Sequence, residues 1–447
     1  MIENELPEFA TGLLSPKIST AALVERLRAT GRTHHEIALN IAGNRCVLVA
    51  DRVLASVEQD ELVRGIRTEL GPFLERAAAR AAHIDPTVRL LDRISREHAI
   101  PIWGIKGLAS RAASPDPQLR QLSDADIVVK SLEDAFYLAD VLRRHGFVTD
   151  RWELPWFKHS LSGVPYGQYR LQGSDGLLSI DIHFGPGYSA GHCGLIPIPM
   201  PTQPGCHPLP VGANLGPMLG NSAGDAFITT KDVNDVWAAA AHLTASELDG
   251  LVCAARKVGF LGHLCEIARV TVELTSLEPA SESIVKRLAA ADGGKPGRRI
   301  LASQNKPVKR GVRAARTART AFEQAKELTG SSARAVVISA TALAYYGVDL
   351  KVRVLPLPKR PSPAPAPWRC VRLVPASLAA EAPGSDQAWS GDAIGPDVDA
   401  APVTGLIERV DVDGGQLIRH GDAMFLPTVW YLLSKRLIQS GIQIQNR

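Results

Sequence analysis

The chain has 447 residues, 45% of them hydrophobic and 21% charged, with a formal charge of +4. That is an ordinary soluble profile with room for roughly two to four domains. No run approaches the roughly 18 consecutive apolar residues of a membrane-spanning helix, so none is expected. The start, Met1-Ile-Glu-Asn-Glu-Leu-Pro, carries neither the basic nor the apolar region of an export signal. The cysteines at 46, 193, 206, 253, 265 and 370 are scattered rather than dense. A cytoplasmic location is therefore the expectation.

In chain order, residues 17 to 95 read as helices. Ser19 to Leu27, His35 to Leu54 and Leu62 to Ala82 all place apolar residues three and four apart. They lead into a strand over Ile100–Ile105 and a turn at Lys106-Gly107. Arg120-Gln-Leu-Ser-Asp-Ala-Asp-Ile-Val-Val129 follows as a buried-type strand, in which Asp124 and Asp126 project to one face while Ala125 and Ile127 turn to the other. Like charges held that close repel, and a divalent cation is the usual reason to tolerate them. Mg²⁺ in particular favours a carboxylate pair supplemented by water and phosphate oxygens. By type, Lys106 is a point charge suited to phosphate and Arg120 a planar fork for bidentate contact. Ser110 is a further candidate hydroxyl.

Ser131 is a good N-cap, with Asp134 three residues on, for a helix through Arg144 that Gly146 ends. The aromatics Trp152, Trp156, Phe157, Tyr166 and Tyr169 suit either stacking on a base or acceptor or packing a core, and the core is favoured. Leu177-Leu-Ser-Ile-Asp-Ile-His-Phe184 then alternates strictly, with Leu178, Ile180, Ile182 and Phe184 on one face and Ser179, Asp181 and His183 on the other. Asp181 is a candidate third metal ligand or general base. His183, a candidate at the same site, reads more readily as a hydrogen-bonded structural histidine beside the sheet. His192-Cys193 and Cys206-His207 bracket a loop, but their separation matches no standard zinc module. The segment reads instead as a connection stiffened by Pro197, Pro199, Pro201 and Pro204.

These motifs, in this order, resemble the uncharacterised nucleotidyltransferase family of the DNA polymerase β superfold. The resemblance rests on Ile105-Lys-Gly-Leu-Ala, Pro115-Asp-Pro-Gln-Leu-Arg120, Ser123-Asp-Ala-Asp-Ile-Val-Val, the helix end Arg144-His-Gly-Phe147 and Ile180-Asp-Ile-His183. It covers roughly residues 95 to 260. Lys106 and Gly107 stand where many members of the superfold carry Gly-Ser. Lys231-Asp232 with Asp235, on the helix after Gly224, resembles a stretch that packs near the nucleotide in several members.

The resemblance implies an α+β fold with a polymerase β-like core, a small mixed sheet with helices, flanked by N- and C-terminal helical regions. It implies NTP-dependent nucleotidyl transfer with release of pyrophosphate. Asp124, Asp126 and Asp181 would be catalytic and would hold Mg²⁺ or Mn²⁺. Lys106, Gly107, Ser110, Arg120, Ser123, His183 and Lys231 would surround the NTP co-substrate, ATP or another. An RNA or tRNA end, a small molecule and a peptide are all open as acceptors.

Beyond about Gly224 a helical region runs to about residue 345. Lys286 to Lys326 holds about a dozen basic residues against two acids, with Arg310, Arg313, Arg316 and Arg319 recurring every third position. Such a stripe suits RNA phosphates or an acidic partner, or is a solvated face. It supports the rival reading, a catalytically inactive nucleotidyltransferase-fold module that binds nucleic acid or a protein.

Pro356 to Pro367 places six prolines in twelve residues, the mark of an extended linker. Past it, Cys370 to Val374 and Leu406 to Val412 are strand-like, Asp413-Gly-Gly is a turn signal, and Phe425 to Ile438 suits a short helix. The tail is a small module or a segment docked back on the body. The expected divisions are 1–95 helical, 96–220 catalytic, 221–355 helical with the basic stripe, 356–368 linker and 369–447 the C-terminal module.

Overall fold

A computed structural model describes residues 7–150, 154–159, 164–189, 195–225, 227–294, 299, 301–302, 306–346, 353–354, 372–379, 407–412, 415–420, 423–428 and 432–433. The chain begins with α1 (Pro7–Ala10), α2 (Thr20–Ala29), α3 (His34–Gly43), α4 (Val47–Ala55) and α5 (Glu61–Glu97). The caps follow local chemistry. Ser19 accepts from the Ala22 amide, Thr33 and Glu36 form a reciprocal capping box, and Asp60 accepts from Leu62 and Val63. The single helix expected over His35–Leu54 is two. The chain breaks at Asn44, which is buried, and at Arg45, which takes a left-handed φ of 60°. Asn44 Oδ1 accepts from the Thr230 amide, so the break is fixed by a distant element. The helix expected to end at Ala82 instead continues to Glu97, through Pro72 and Pro86. Proline removes a helical hydrogen bond and costs about 3 kcal/mol in a helix interior. Packing on both sides offsets that cost, as the buried positions of α5 show.

The sheet combines β1 (Pro101–Gly104), β2 (Asp124–Val129), β3 (Phe147–Thr149), β4 (Trp156–His159), β5 (Pro165–Gly173) and β6 (Ser179–Phe184). A short hairpin of β7 (Gly187–Ser189) and β8 (Leu195–Pro197) follows, then β9 (Gly205–Pro208). Helix α6 (Gly107–Ala113) links β1 to the approach to β2, and α7 (Leu132–Arg144) follows β2. As expected, the Ser131 side chain caps α7, and Gly146 leaves it with φ 90°. β2 and β6 pair in parallel, while β1 runs antiparallel to β2 and β5 antiparallel to β6. The apolar faces of β2 and β6 pack on Leu132, Ala135, Leu138 and Leu142 of α7.

The second half supplies α8 (Val211–Asp225), α9 (Thr230–Ala240), α10 (Ala245–Val258), α11 (Leu261–Leu274), α12 (Pro279–Ala290), α13 (Lys306–Thr329) and α14 (Ser332–Tyr346). Last come β10 (Arg353–Val354), β11 (Arg372–Pro375), α15 (Ala376–Ala379), β12 (Ile407–Val412), β13 (Gly415–His420), β14 (Ala423–Thr428) and β15 (Leu432–Leu433). Where a helix is expected from Phe425, the chain is strand β14. Its cross-strand partners on β11 and β13, with Phe425 and Leu426 fully buried, reward an extended backbone. β11 pairs with β4, so these strands extend the same sheet, in the order β12-β13-β14-β11-β4-β5-β6-β2-β1-β9 with β3 beside β5. The chain is thus a mixed α and β fold with a mixed sheet. The proline-rich segment lies outside the described residues.

Two apolar cores result. One joins the N-terminal helices to α8–α12, with Phe9, Ile37 and Ile66 beside Leu219, Val233 and Leu264. The other lies between the sheet and α7 and takes in Ala321 and Ala325 of α13 together with Leu373 and Phe425. Helix α5 belongs to both: Val63, Ile66, Leu70 and Ala77 enter the first, and Ile84, Leu91 and Ile94 the second. Among the described residues no helix is long and apolar enough to cross a membrane.

Candidate active site

The parallel register of β2 and β6 sets Asp124 opposite Ser179 and Asp126 opposite Asp181. Because alternate residues share a face, Asp124, Asp126, Asp181 and His183 project together. Asp126, Asp181 and His183 are 3–4% exposed, and one ligand atom from each lies within 4.8 Å of the others. His183 Nε2 donates to Asp126 Oδ1 at 3.2 Å. Gln168 Nε2 donates to Asp181 Oδ2 at 3.0 Å, and Arg170 Nε stands 3.5 Å from Asp181 Oδ1, which accepts no hydrogen bond. Asp124, further out on the strand, is half-buried and accepts from Ser123 Oγ at 3.1 Å.

Lys106 reaches this group from the turn after β1. Its Nζ donates to Asp126 Oδ1 at 2.5 Å and lies 4.8 Å from the centre of the Tyr188 ring. The Tyr188 ring in turn meets His183 edge-on at 4.9 Å. The Lys106 backbone is left-handed, with φ 48° and ψ −117°, a conformation that costs a non-glycine residue of order 1–3 kcal/mol. Asn214 of α8 holds it there. Asn214 Oδ1 accepts from the Lys106 amide at 2.5 Å, and its Nδ2 donates to the Lys106 carbonyl at 3.0 Å. Gly107 lets the turn close against Leu122, since a Cβ there would meet the Leu122 Cδ2 methyl at 2.3 Å and displace that side chain.

Burial by itself would raise the Asp126 carboxyl, but Lys106 and His183 overcome it and hold that group below the ordinary carboxylate range. The Asp181 carboxyl is pushed well above that range, first by burial and then by the neighbouring Asp126 charge. Burial lowers the His183 imidazole and raises the Tyr188 phenol to about 12. Burial also works against the Lys106 ammonium, yet Asp126 and the surrounding groups keep it charged. Two carboxylates thus sit side by side with opposite proton affinities, the pattern from which acid and base roles are built.

A cleft of about 820 Å³ opens over this face. Asp124, Asp126, Ser123, Lys106, Gly107 and Lys231 line it, while Asp181 and His183 are off its wall. Arg120 also faces the cleft, but its fork is bidentate to Asp235 of α9, at 2.8 Å to each oxygen, and its remaining nitrogen donates to the Gln121 carbonyl. Lys231 Nζ is 3.9 Å from the same Asp235. Ser110 does not join the group: its hydroxyl donates to the Met218 sulfur at 3.0 Å and accepts from Asn214 at 3.2 Å.

The aromatics serve the core. Trp156, Phe157, Tyr166 and Tyr169 are buried and none lines the cleft, while Trp152 lies outside the described residues. His192 and Cys193 also lie outside them. Cys206 is on β9, with its thiol raised to about 12 by burial. Of the arginine stripe, only Arg319 has a described side chain, exposed and paired with Glu323.

Sequence reasoning missed Asn214, Gln168, Arg170 and Tyr188, together with Arg45, Arg76 and Arg80, which line the cleft. Arg76 and Arg80 carried a signal. They fall at the same helical spacing as Phe73 and Ala77, so the charges sit beside an apolar stripe rather than opposite it.

The donor set fits a divalent cation. It offers two carboxylates and an imidazole, one of whose oxygens, Asp181 Oδ1, is buried and accepts no hydrogen bond. Comparison with protein-family models, curated proteins and solved structures returns no match for this chain.

Proposed function

We propose that the chain is a metal-dependent nucleotidyltransferase with a polymerase β-like core, moving an NMP from an NTP to a hydroxyl or phosphate acceptor with release of pyrophosphate. The observation that carries this reading is the register of Asp126 and Asp181 on adjacent parallel strands, beside a cleft whose charges other than Asp124 and Asp126 are basic. A divalent cation between these carboxylates, Mg²⁺ or Mn²⁺, supplies neutralisation of the triphosphate when bound.

The chain's own groups divide the remaining work. Lys106 and Lys231 face the phosphates, Arg120 braces the site through Asp235 and the Gln121 carbonyl, and Ser123 and Asp124 stand at the cleft wall. Asp181, off the cleft wall, would serve as a cation ligand, and the acceptor hydroxyl gives its proton to solvent as its oxygen bonds to the α-phosphorus. The bond from that phosphorus to the pyrophosphate oxygen breaks. His183 and Gln168 orient the carboxylates rather than touch substrate.

The test is incubation with each α-³²P-labelled NTP and Mg²⁺ or Mn²⁺, beside RNA, small-molecule and protein fractions of a lysate. Label is expected to enter one fraction with wild type and to fall to background with Asp126→Asn. Transfer of γ-label instead would make the protein a kinase, and absence of any NTP binding would remove the reading.

A further inference from the structure

Seven basic side chains line the cleft, and two of them, Arg76 and Arg80, come from helix α5. Lys106 and Arg170 contact Asp126 and Asp181, and Arg120 and Lys231 are gathered on Asp235, so these cations belong to the carboxylate side. Arg76 and Arg80 come from α5, one helical turn apart, where like charges repel. Among the described residues neither is paired with a carboxylate, and the Arg80 Nε is buried with no hydrogen-bond partner. Leaving a buried guanidinium nitrogen unbonded is unfavourable unless something else satisfies it. Arg76 is exposed and Arg80 half-buried, and both line the cleft. Ala77, between them, is buried in the first core and fixes the helix face, and the left-handed Arg45 brings a third cation to the same cleft. The volume of about 820 Å³ is near the top of the range for small-ligand pockets, about 300–1,000 Å³, and leaves space beside a nucleotide.

We propose that Arg76 and Arg80, with Arg45, form an oxyanion site for the second substrate, making the acceptor a small molecule that carries a phosphate or carboxylate. The word acceptor rests on the nucleotidyltransferase reading; the oxyanion site does not. A guanidinium fork matches a phosphate or carboxylate edge with two parallel hydrogen bonds, and two forks one turn apart can grip such a group from both sides.

The test is calorimetric titration of inorganic phosphate, and separately of acetate, into the full chain. Each titration is done alone and after saturation with Mg²⁺ and α,β-methylene analogues of the four NTPs. Wild type is expected to bind one equivalent of phosphate or acetate in both states, and the tighter of the two anions names the group on the acceptor. Arg76→Gln/Arg80→Gln is expected to weaken that binding at least tenfold while leaving analogue affinity within twofold. Arg76→Lys/Arg80→Lys, which keeps charge but not the fork, is expected to fall between, and an unchanged melting temperature excludes loss of fold.

Three results would overturn the proposal. One is displacement of the anion by the nucleotide analogue. Another is a loss of analogue affinity in the glutamine variant as large as the loss of phosphate. The last is no anion binding by wild type. Should the protein bind no nucleotide at all, the enzymatic reading fails alone. The titration of free protein still answers for the arginines.

Discussion

Asp181 shows how a site residue can work against the fold that holds it. Its carboxyl is raised by burial and by Asp126, so its folded-state pKa lies above its unfolded value. Such a group favours folding fully at pH below its unfolded value, about 3.9, and that contribution is lost as pH rises through the folded pKa. Asp181→Asn removes the titration. In cation-free buffer the variant is expected to melt above wild type near pH 8, with the difference shrinking toward pH 4. Added Mn²⁺ or Mg²⁺ should raise the melting temperature of wild type but not of the variant. Thermal unfolding across pH, with and without the ion, measures both, and a variant less stable than wild type at pH 8 would reject the assignment. That Asp124, Asp126 and Asp181 share a face was legible in the sequence, because strand alternation alone puts them on one side of the sheet. Asn214 and Gln168 were not, since an amide that matters only through one distant partner leaves no periodic trace.

The elements were legible where a local rule fixed them. Ser131 and Gly146 bound α7 by capping chemistry, and β6 follows from alternation. Errors came where tertiary contacts overrode the local pattern. Asn44 breaks a helix because Thr230 needs its oxygen, α5 outruns two prolines because both cores claim it, and β14 is extended because β11 and β13 lie on either side. Arg120 is the most instructive case. Its residue type suggested phosphate contact, yet it is 8% exposed and locked to Asp235, tying the approach to β2 onto α9. Breaking a buried pair leaves a lone charge and costs about 3–5 kcal/mol, whereas replacing both partners with apolar groups is far milder. Asp235→Leu is therefore expected to lower unfolding free energy by about 3–5 kcal/mol, and Arg120→Met/Asp235→Leu to restore most of it. Denaturant melts of the two single variants and the double form a cycle that checks this, and simple additivity would show the pair is not coupled.

At the scale of the whole molecule the C-terminal strands are part of the sheet. Phe425 is fully buried, with its ring 4.7 Å from Phe157 and edge-on to Phe136 at 6.3 Å, so residues past the proline-rich segment cover strands that reach toward the carboxylates. Phe425→Ala is expected to destabilise the protein by about 3–5 kcal/mol, measured by urea unfolding. A loss under about 1 kcal/mol would mean the strand is not packed as described. No sequence rule forecasts this docking, because a strand's partner is a non-local choice.

The parallel pairing of β2 with β6 has a consequence in time. A slip of one residue would replace Asp181 by Ile180 or Ile182 on the carboxylate face, so the site exists in a single register. Between the two strands lie α7, β3, β4 and β5, and closing such a loop precedes any reward from the contacts it makes. During refolding the helices can recover their hydrogen bonds locally, while the paired carboxylates must wait for the crossover to close. A newly made chain would thus acquire its shape in stages, and the pairing of its buried carboxylates last.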